Sequence, residues 1–189
     1  MSAALVVVGL VALVGEGMRA RGSRGRAQPV SDAVRREARE LVALVDQAAQ
    51  IATDEGVDDL DTLEISTFVD DPRRIGAGAD RIVFRSRVDP SLVIKITTVF
   101  RRSTNRDEAD AWRGAGPRAR RLLVPVLDVD WEGSWLIMPH VRQWDEATQG
   151  PLDPSALQSL GLLDVRAENV DAQGRALDYA EPIELEEPI

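Results

Sequence analysis

Lys95 is the only lysine among the 23 basic residues of this 189-residue chain; the other 22 are arginine. Where nearly every cation is a planar fork, a solitary ammonium marks a place that wants a compact charge. It stands in Val93-Ile94-Lys95-Ile96, a β-rich run whose alternation turns Lys95 to one face and Ile94 and Ile96 to the other. An ammonium carried that far into the interior needs an anion, either a phosphate, a carboxylate or both. Upstream lies Gly76-Ala77-Gly78-Ala79-Asp80-Arg81-Ile82-Val83, a glycine-bearing turn in which backbone N–H groups can approach phosphate oxygens with no Cβ in the way. Downstream, Asn105-Arg106-Asp107-Glu108-Ala109-Asp110-Ala111-Trp112 reads as a short helix. Ala111 and Trp112 there share the inward side with Glu108, and Asp107 takes its place if the helix is one residue out of register.

Composition narrows the chemistry further. The chain has no cysteine and one histidine, His140, which excludes disulfides, thiol nucleophiles, thiolate zinc sites and a His-rich metal site. The formal charge is −9; residues 1–30 hold four arginines and one acid, or +3, so the remainder carries −12. An acidic body repels phosphate backbones, and nucleic acid is set aside as a partner. Excess acid with scarce lysine fits a halophile or a GC-rich genome.

Four stretches divide the chain. Residues 1–30 contain an apolar run within 3–15, followed by arginines 19, 21, 24 and 26. The run is shorter than the ~30 Å hydrocarbon core, and the arginines after it favour a cytoplasmic side for the remainder of the chain. It reads either as a short membrane anchor with its N-terminus outside, or as a segment packed on the domain or an extended start. Residues 31–56 predict an amphipathic helix, with Val34, Ala38, Leu41, Val42, Val45, Ala48, Ala49 and Ala52 on one side and Arg and Glu on the other. Ser31 is its N-cap and Gly56 its stop. Residues 66–180 change to short strand-like runs in the order three strands, helix, two strands, with Val88-Asp89-Pro90-Ser91 as a hairpin turn. Leu122–Trp131 alternates as the fourth strand and Trp135–Met138 forms the fifth. Residues 181–189 are an acidic tail.

In their order these strings resemble the protein-kinase superfamily: a G-x-G-x-x-x-x-V loop with Arg81 in the position of the third glycine, a V-I-K strand, a helix glutamate, Asp164-Val165-Arg166-Ala167-Glu168-Asn169 as D-x-x-x-x-N, and Leu177-Asp178-Tyr179 as the D-Y end of the next hairpin. The resemblance implies an α+β, two-lobed fold, with a five-stranded antiparallel N-lobe carrying one helix and a much reduced C-lobe. It also implies that ATP is held by Gly76, Gly78, Val83, Lys95 and Glu108, with adenine against the backbone of Met138 and His140. By the same likeness Asp164, with Lys95, is catalytic, orienting or deprotonating an acceptor hydroxyl, and Asn169 and Asp178 bind Mg2+.

The pattern also departs from the family. Leu162-Leu163 precede Asp164 instead of His-Arg, Ala180 follows Tyr179 instead of glycine, and only 26 positions separate Met138 from Asp164. Nine residues follow Ala180, too few for a peptide-holding platform. Three readings stay open: a cytoplasmic phosphotransferase acting on a small-molecule acceptor or a protein partner, a catalytically inactive pseudokinase-like binding or scaffold module, and a structural protein that binds no nucleotide. In the last, Trp112, Trp131, Trp135 and Trp144 serve core or interface.

Overall fold

A computed structural model describes residues 29–57, 61–98, 102–162 and 165–179. The apolar run within 3–15, the catalytic candidate Asp164 and the acidic tail lie outside the described residues.

Ser31 starts the first helix, α1 (Asp32–Asp54), as its N-cap, and its side chain accepts from the Val34 N–H. The helix ends at Glu55, and Gly56 takes φ 80°, the left-handed conformation that glycine adopts without penalty. A short helix, α2 (Thr62–Thr67), is capped by Asp61, in a stretch where the sequence pattern assigns no element. The sheet comes next, built of β1 (Arg74–Ala77), β2 (Arg81–Arg85), β3 (Leu92–Thr97), β4 (Asp128–Val129) and β5 (Trp135–Pro139), with helix α3 (Arg102–Gly114) between β3 and β4. All five strands pair antiparallel in the order β1-β2-β3-β5-β4. Beyond the sheet come two single-turn helices, α4 (Glu146–Gln149) and α5 (Ser155–Gln158). The fold is α+β, an N-terminal helix followed by a five-stranded antiparallel sheet with a few helices. Among the described residues no helix is long and apolar enough to cross a membrane.

Strand alternation splits the apolar residues into two clusters, one on each face of the sheet. Ile82, Phe84, Ile94, Ile96, Trp135 and Ile137 pack against Val34, Ala38, Leu41 and Val45 of α1. On the other face Val93, Leu136 and Met138 pack with Ala109 of α3 and with Leu157, Val170 and Tyr179 further along the chain. Each fully buried Leu, Ile or Val side chain contributes on the order of 1.5–3 kcal/mol, so α1 is an integral layer of the domain rather than a linker.

Glu37, which the helical pattern puts on the polar side of α1, is instead buried. One carboxylate oxygen accepts from the Ser86 hydroxyl at 2.6 Å; the other accepts from the Arg87 N–H at 2.8 Å and from Arg73 Nη1 at 2.9 Å. The helix thus carries a buried acceptor that satisfies the amides of the β2–β3 hairpin, and that hairpin fixes where β3 begins. The fourth strand is also shorter than its alternation suggests. Leu122–Val124 bond instead to the C-terminal hairpin, through Val124 N–H to the Ala176 carbonyl and Ala176 N–H to the Leu122 carbonyl. The alternation stops at the turn closed by Gly133 N–H on the Asp130 carbonyl, which leaves Trp131 82% exposed, outside any core.

Burial works against the charge on Glu37, but the bonds from Ser86, Arg87 and Arg73 outweigh it and hold its carboxyl below the ordinary 4.5. A depressed folded value means stabilisation that is complete above the ordinary value and is lost as pH falls through the folded one. Glu37→Gln is expected to lower the midpoint of thermal unfolding at pH 7 by about 5–10 °C, for a loss of about 2–3 kcal/mol. The melting point should also fall less steeply than in the wild type between about pH 5 and pH 3. Calorimetry across that range checks both.

Candidate functional site

The pairing register brings the residues of the Lys95 face of the sheet together. Val83 lies opposite Lys95, Lys95 opposite Leu136, and Arg81 opposite Thr97, and directly opposed residues of antiparallel strands project from the same face. Lys95 is therefore flanked on its own face by Val83 and, one diagonal away, by Arg81.

The anion that Lys95 requires is Glu108. Nζ lies 3.0 Å from Oε1 and 3.1 Å from Oε2, and the glutamate is fully buried. Helix α3 is positioned to deliver it by Asn105, one turn earlier, whose Nδ2 donates to the backbone carbonyls of Lys95 at 3.2 Å and Gly133 at 3.0 Å. Sequence reasoning misses Asn105, although its spacing of three from Glu108 puts both on one helix face. A third partner for Lys95 comes from the end of the chain, where Nζ donates to the Leu177 carbonyl at 2.5 Å.

That carbonyl is held in place by a hairpin of its own. Val170 pairs with Ala176, and Leu177 N–H donates to the Asn169 carbonyl at 2.8 Å. The buried Asp171 carboxylate accepts from the Gln173 and Arg175 amides and from Arg175 Nε at 2.7 Å, which closes the turn at Gly174. Tyr179 Oη donates to the Val124 carbonyl at 2.6 Å and ties the hairpin to the body. Burial, and then the nearby Glu108 charge, raise its phenol well above the usual range, so it acts here as a neutral donor.

Arg81 completes the cluster. Its Nη1 donates to Glu108 and its Nη2 to Asp178, so Glu108 receives two cations and Asp178 faces a guanidinium. Burial opposes the charge on Arg81, but Glu108 and Asp178 outweigh it and raise its pKa above the ordinary value. Lys95 goes the other way: burial, and after it the Arg81 charge, lower its value despite Glu108 and Asp178. The sequence shows Arg81 only as a departure at a glycine position. Among 22 arginines nothing else marks it, although its place one strand residue before Ile82 puts it on the Lys95 face.

The glycine turn is a tight hairpin closed by Gly78 N–H on the Arg81 carbonyl at 2.9 Å. Neither Gly76 nor Gly78 has a positive φ, and a Cβ at either would meet nothing within 4 Å. No packing contact within the described residues requires these glycines, and the space beside them is open. Of the other residues expected at the site, Val83 is half-buried and Met138 fully buried on the Lys95 side. His140 is exposed, and its backbone N–H is already donated to the Ser91 carbonyl at 2.6 Å, so it offers no donor to a base.

Compared with known proteins, the chain matches no family model, no curated protein and no solved structure.

The residues expected to hold a divalent ion, Asn169 and Asp178, lie at the two ends of the C-terminal hairpin. The Asp178 carboxylate is engaged by Arg81. The two carboxylates, Glu108 and Asp178, are already paired with Arg81 and Lys95, and a further double charge at Asp178 would sit against the guanidinium. Among the described residues no three His, Asp or Glu groups converge as a metal site.

Removing Glu108 leaves two buried cations without their shared partner, a loss of about 3–5 kcal/mol. Glu108→Gln should therefore lower the melting point by about 10 °C or more, whereas Asp107→Asn, on an exposed residue of the same helix, should change it by less than about 2 °C. Parallel thermal melts of the two variants make the comparison.

Proposed function

We propose that residues 66–179 form an ATP-binding domain of the kind the protein-kinase resemblance implies, serving as a binding module rather than as a peptide kinase. The observation that carries this reading is the Lys95 ammonium, fixed between the Glu108 carboxylate and the Leu177 carbonyl on one face of the sheet. A lysine held in this way has its position set before a ligand arrives, and a phosphate oxygen gains it by replacing the Leu177 carbonyl or one Glu108 oxygen among its three acceptors.

Two further features support it. The open space beside Gly76 and Gly78 gives phosphate oxygens room to approach the glycine turn. Val83, half-buried on the face that carries Lys95, supplies apolar surface for a purine base. The binding-module role is favoured over phosphoryl transfer because Asp178, the residue a transferase would place on its metal, is committed to Arg81. In the alternative, a phosphotransferase, Asp164 would deprotonate a hydroxyl acceptor.

ATP with Mg2+ present, at about a hundredfold its dissociation constant, should raise the melting point of the full chain by about 5–10 °C. Lys95→Ala should abolish the rise. The double variant Gly76→Ala, Gly78→Ala should melt normally without nucleotide and show a smaller rise, because the new methyl groups occupy ligand space and not protein space. No shift of the wild type at millimolar ATP contradicts ATP binding. Transfer of labelled γ-phosphate to a hydroxyl acceptor, lost in Asp178→Asn, would favour the transferase.

A further inference from the structure

Two groups in the site carry charge that phosphate binding through Lys95 alone does not use: the Arg81 guanidinium and the Asp178 carboxylate it faces. Arg81 is 5% exposed, stands on the strand immediately after the glycine turn, and points along the Lys95 face toward Asp178. Its guanidinium stands between Glu108 and Asp178, on the strand that follows Gly76 and Gly78.

Arginine is suited to joining a carboxylate to a phosphate. A guanidinium has five N–H donors in a rigid plane. Two of its nitrogens, Nη1 and Nη2, each give one hydrogen to a carboxylate, Glu108 and Asp178 respectively. An anion would take the second hydrogens of those nitrogens and the Nε hydrogen, on a side chain that is 6% exposed. A divalent ion at Asp178 works in the same sense, with carboxylate on one side and phosphate oxygens on the other. With the guanidinium already on Asp178, the ion meets an unfavourable field.

Resting on the ATP-binding reading above, we infer that Arg81 takes the place of the divalent cation and that this chain binds nucleoside triphosphate without a metal ion. Glu108 and Asp178 hold the guanidinium in register, Lys95 and Arg81 meet the phosphates as a fixed pair of cations, and the ligand is free nucleotide rather than its magnesium complex. Arg81 is thus a specificity-determining residue: it selects for the polyphosphate and against the metal.

Titration calorimetry of the full chain with ATP, once in excess EDTA and once in millimolar Mg2+, separates the outcomes. The expected result is binding in EDTA with a dissociation constant within about threefold of that in Mg2+, or tighter. Arg81→Gln should weaken binding in EDTA by about tenfold or more, the size of a lost charge-assisted hydrogen bond. Asp178→Asn removes one of the two carboxylates that hold the guanidinium and should weaken binding in EDTA and in Mg2+ alike, by a smaller factor than Arg81→Gln. Binding seen only with Mg2+ and lost in Asp178→Asn overturns the inference and leaves the ATP-binding reading standing. Absence of binding in both buffers overturns that reading and, with it, the inference.

Discussion

Everything in this domain that has chemical character depends on one carboxylate receiving two cations. Glu108 is wholly buried and takes Lys95 from β3 and Arg81 from β2, while Asn105 on the same helix bonds the carbonyl behind Lys95. A buried charge without partners costs several kcal/mol, and a buried pair is tolerated only when its geometry satisfies both sides. The requirement runs in both directions. The sheet cannot hold Lys95 and Arg81 on one face unless α3 docks, and α3 cannot bury Glu108 unless the sheet presents both cations.

The rest of the architecture serves that docking. Helix α1 covers the opposite face and sends Glu37 to the β2–β3 hairpin, which sets the starting point of the strand that bears Lys95. The C-terminal hairpin, closed by Asp171 and tied down by Tyr179, brings the Leu177 carbonyl to the ammonium and Asp178 to the guanidinium. Segments distant in sequence thus converge on four charged groups that neutralise one another.

Much of this is legible in the sequence. Alternation around Val93-Ile94-Lys95-Ile96 gives the strand and its faces, and helical spacing puts Glu108 inward; Ser31 and Gly56 bound α1 because their capping and φ preferences are local physics. What escapes is what depends on distant partners. Glu37 stands at the border of an apolar stripe, and only the unsatisfied amides of a hairpin some fifty residues on, reached by bonds to Ser86 and Arg87, turn it inward. Arg81 looks like one more arginine until Asp178, ninety-seven positions later, faces it. Alternation overestimates the fourth strand because Leu122–Val124 satisfy their backbone through the C-terminal hairpin instead of the sheet, and period two cannot tell one extended partner from another. The string around Asp178 suggests a metal ligand, whereas its immediate neighbour in space is a cation.

Because the chain has a single lysine, the burial of its ammonium is open to an unusually direct test: the rate at which an amine-selective acylating reagent modifies Lys95, read by peptide mass against the reaction of the α-amino group. An ammonium buried between Glu108 and the Leu177 carbonyl must be released by local or global opening before it reacts. Strong protection is expected in the native protein, lost in denaturant and markedly reduced in Glu108→Gln. Modification of native Lys95 at the rate of a freely exposed lysine would show that the ammonium is not held there.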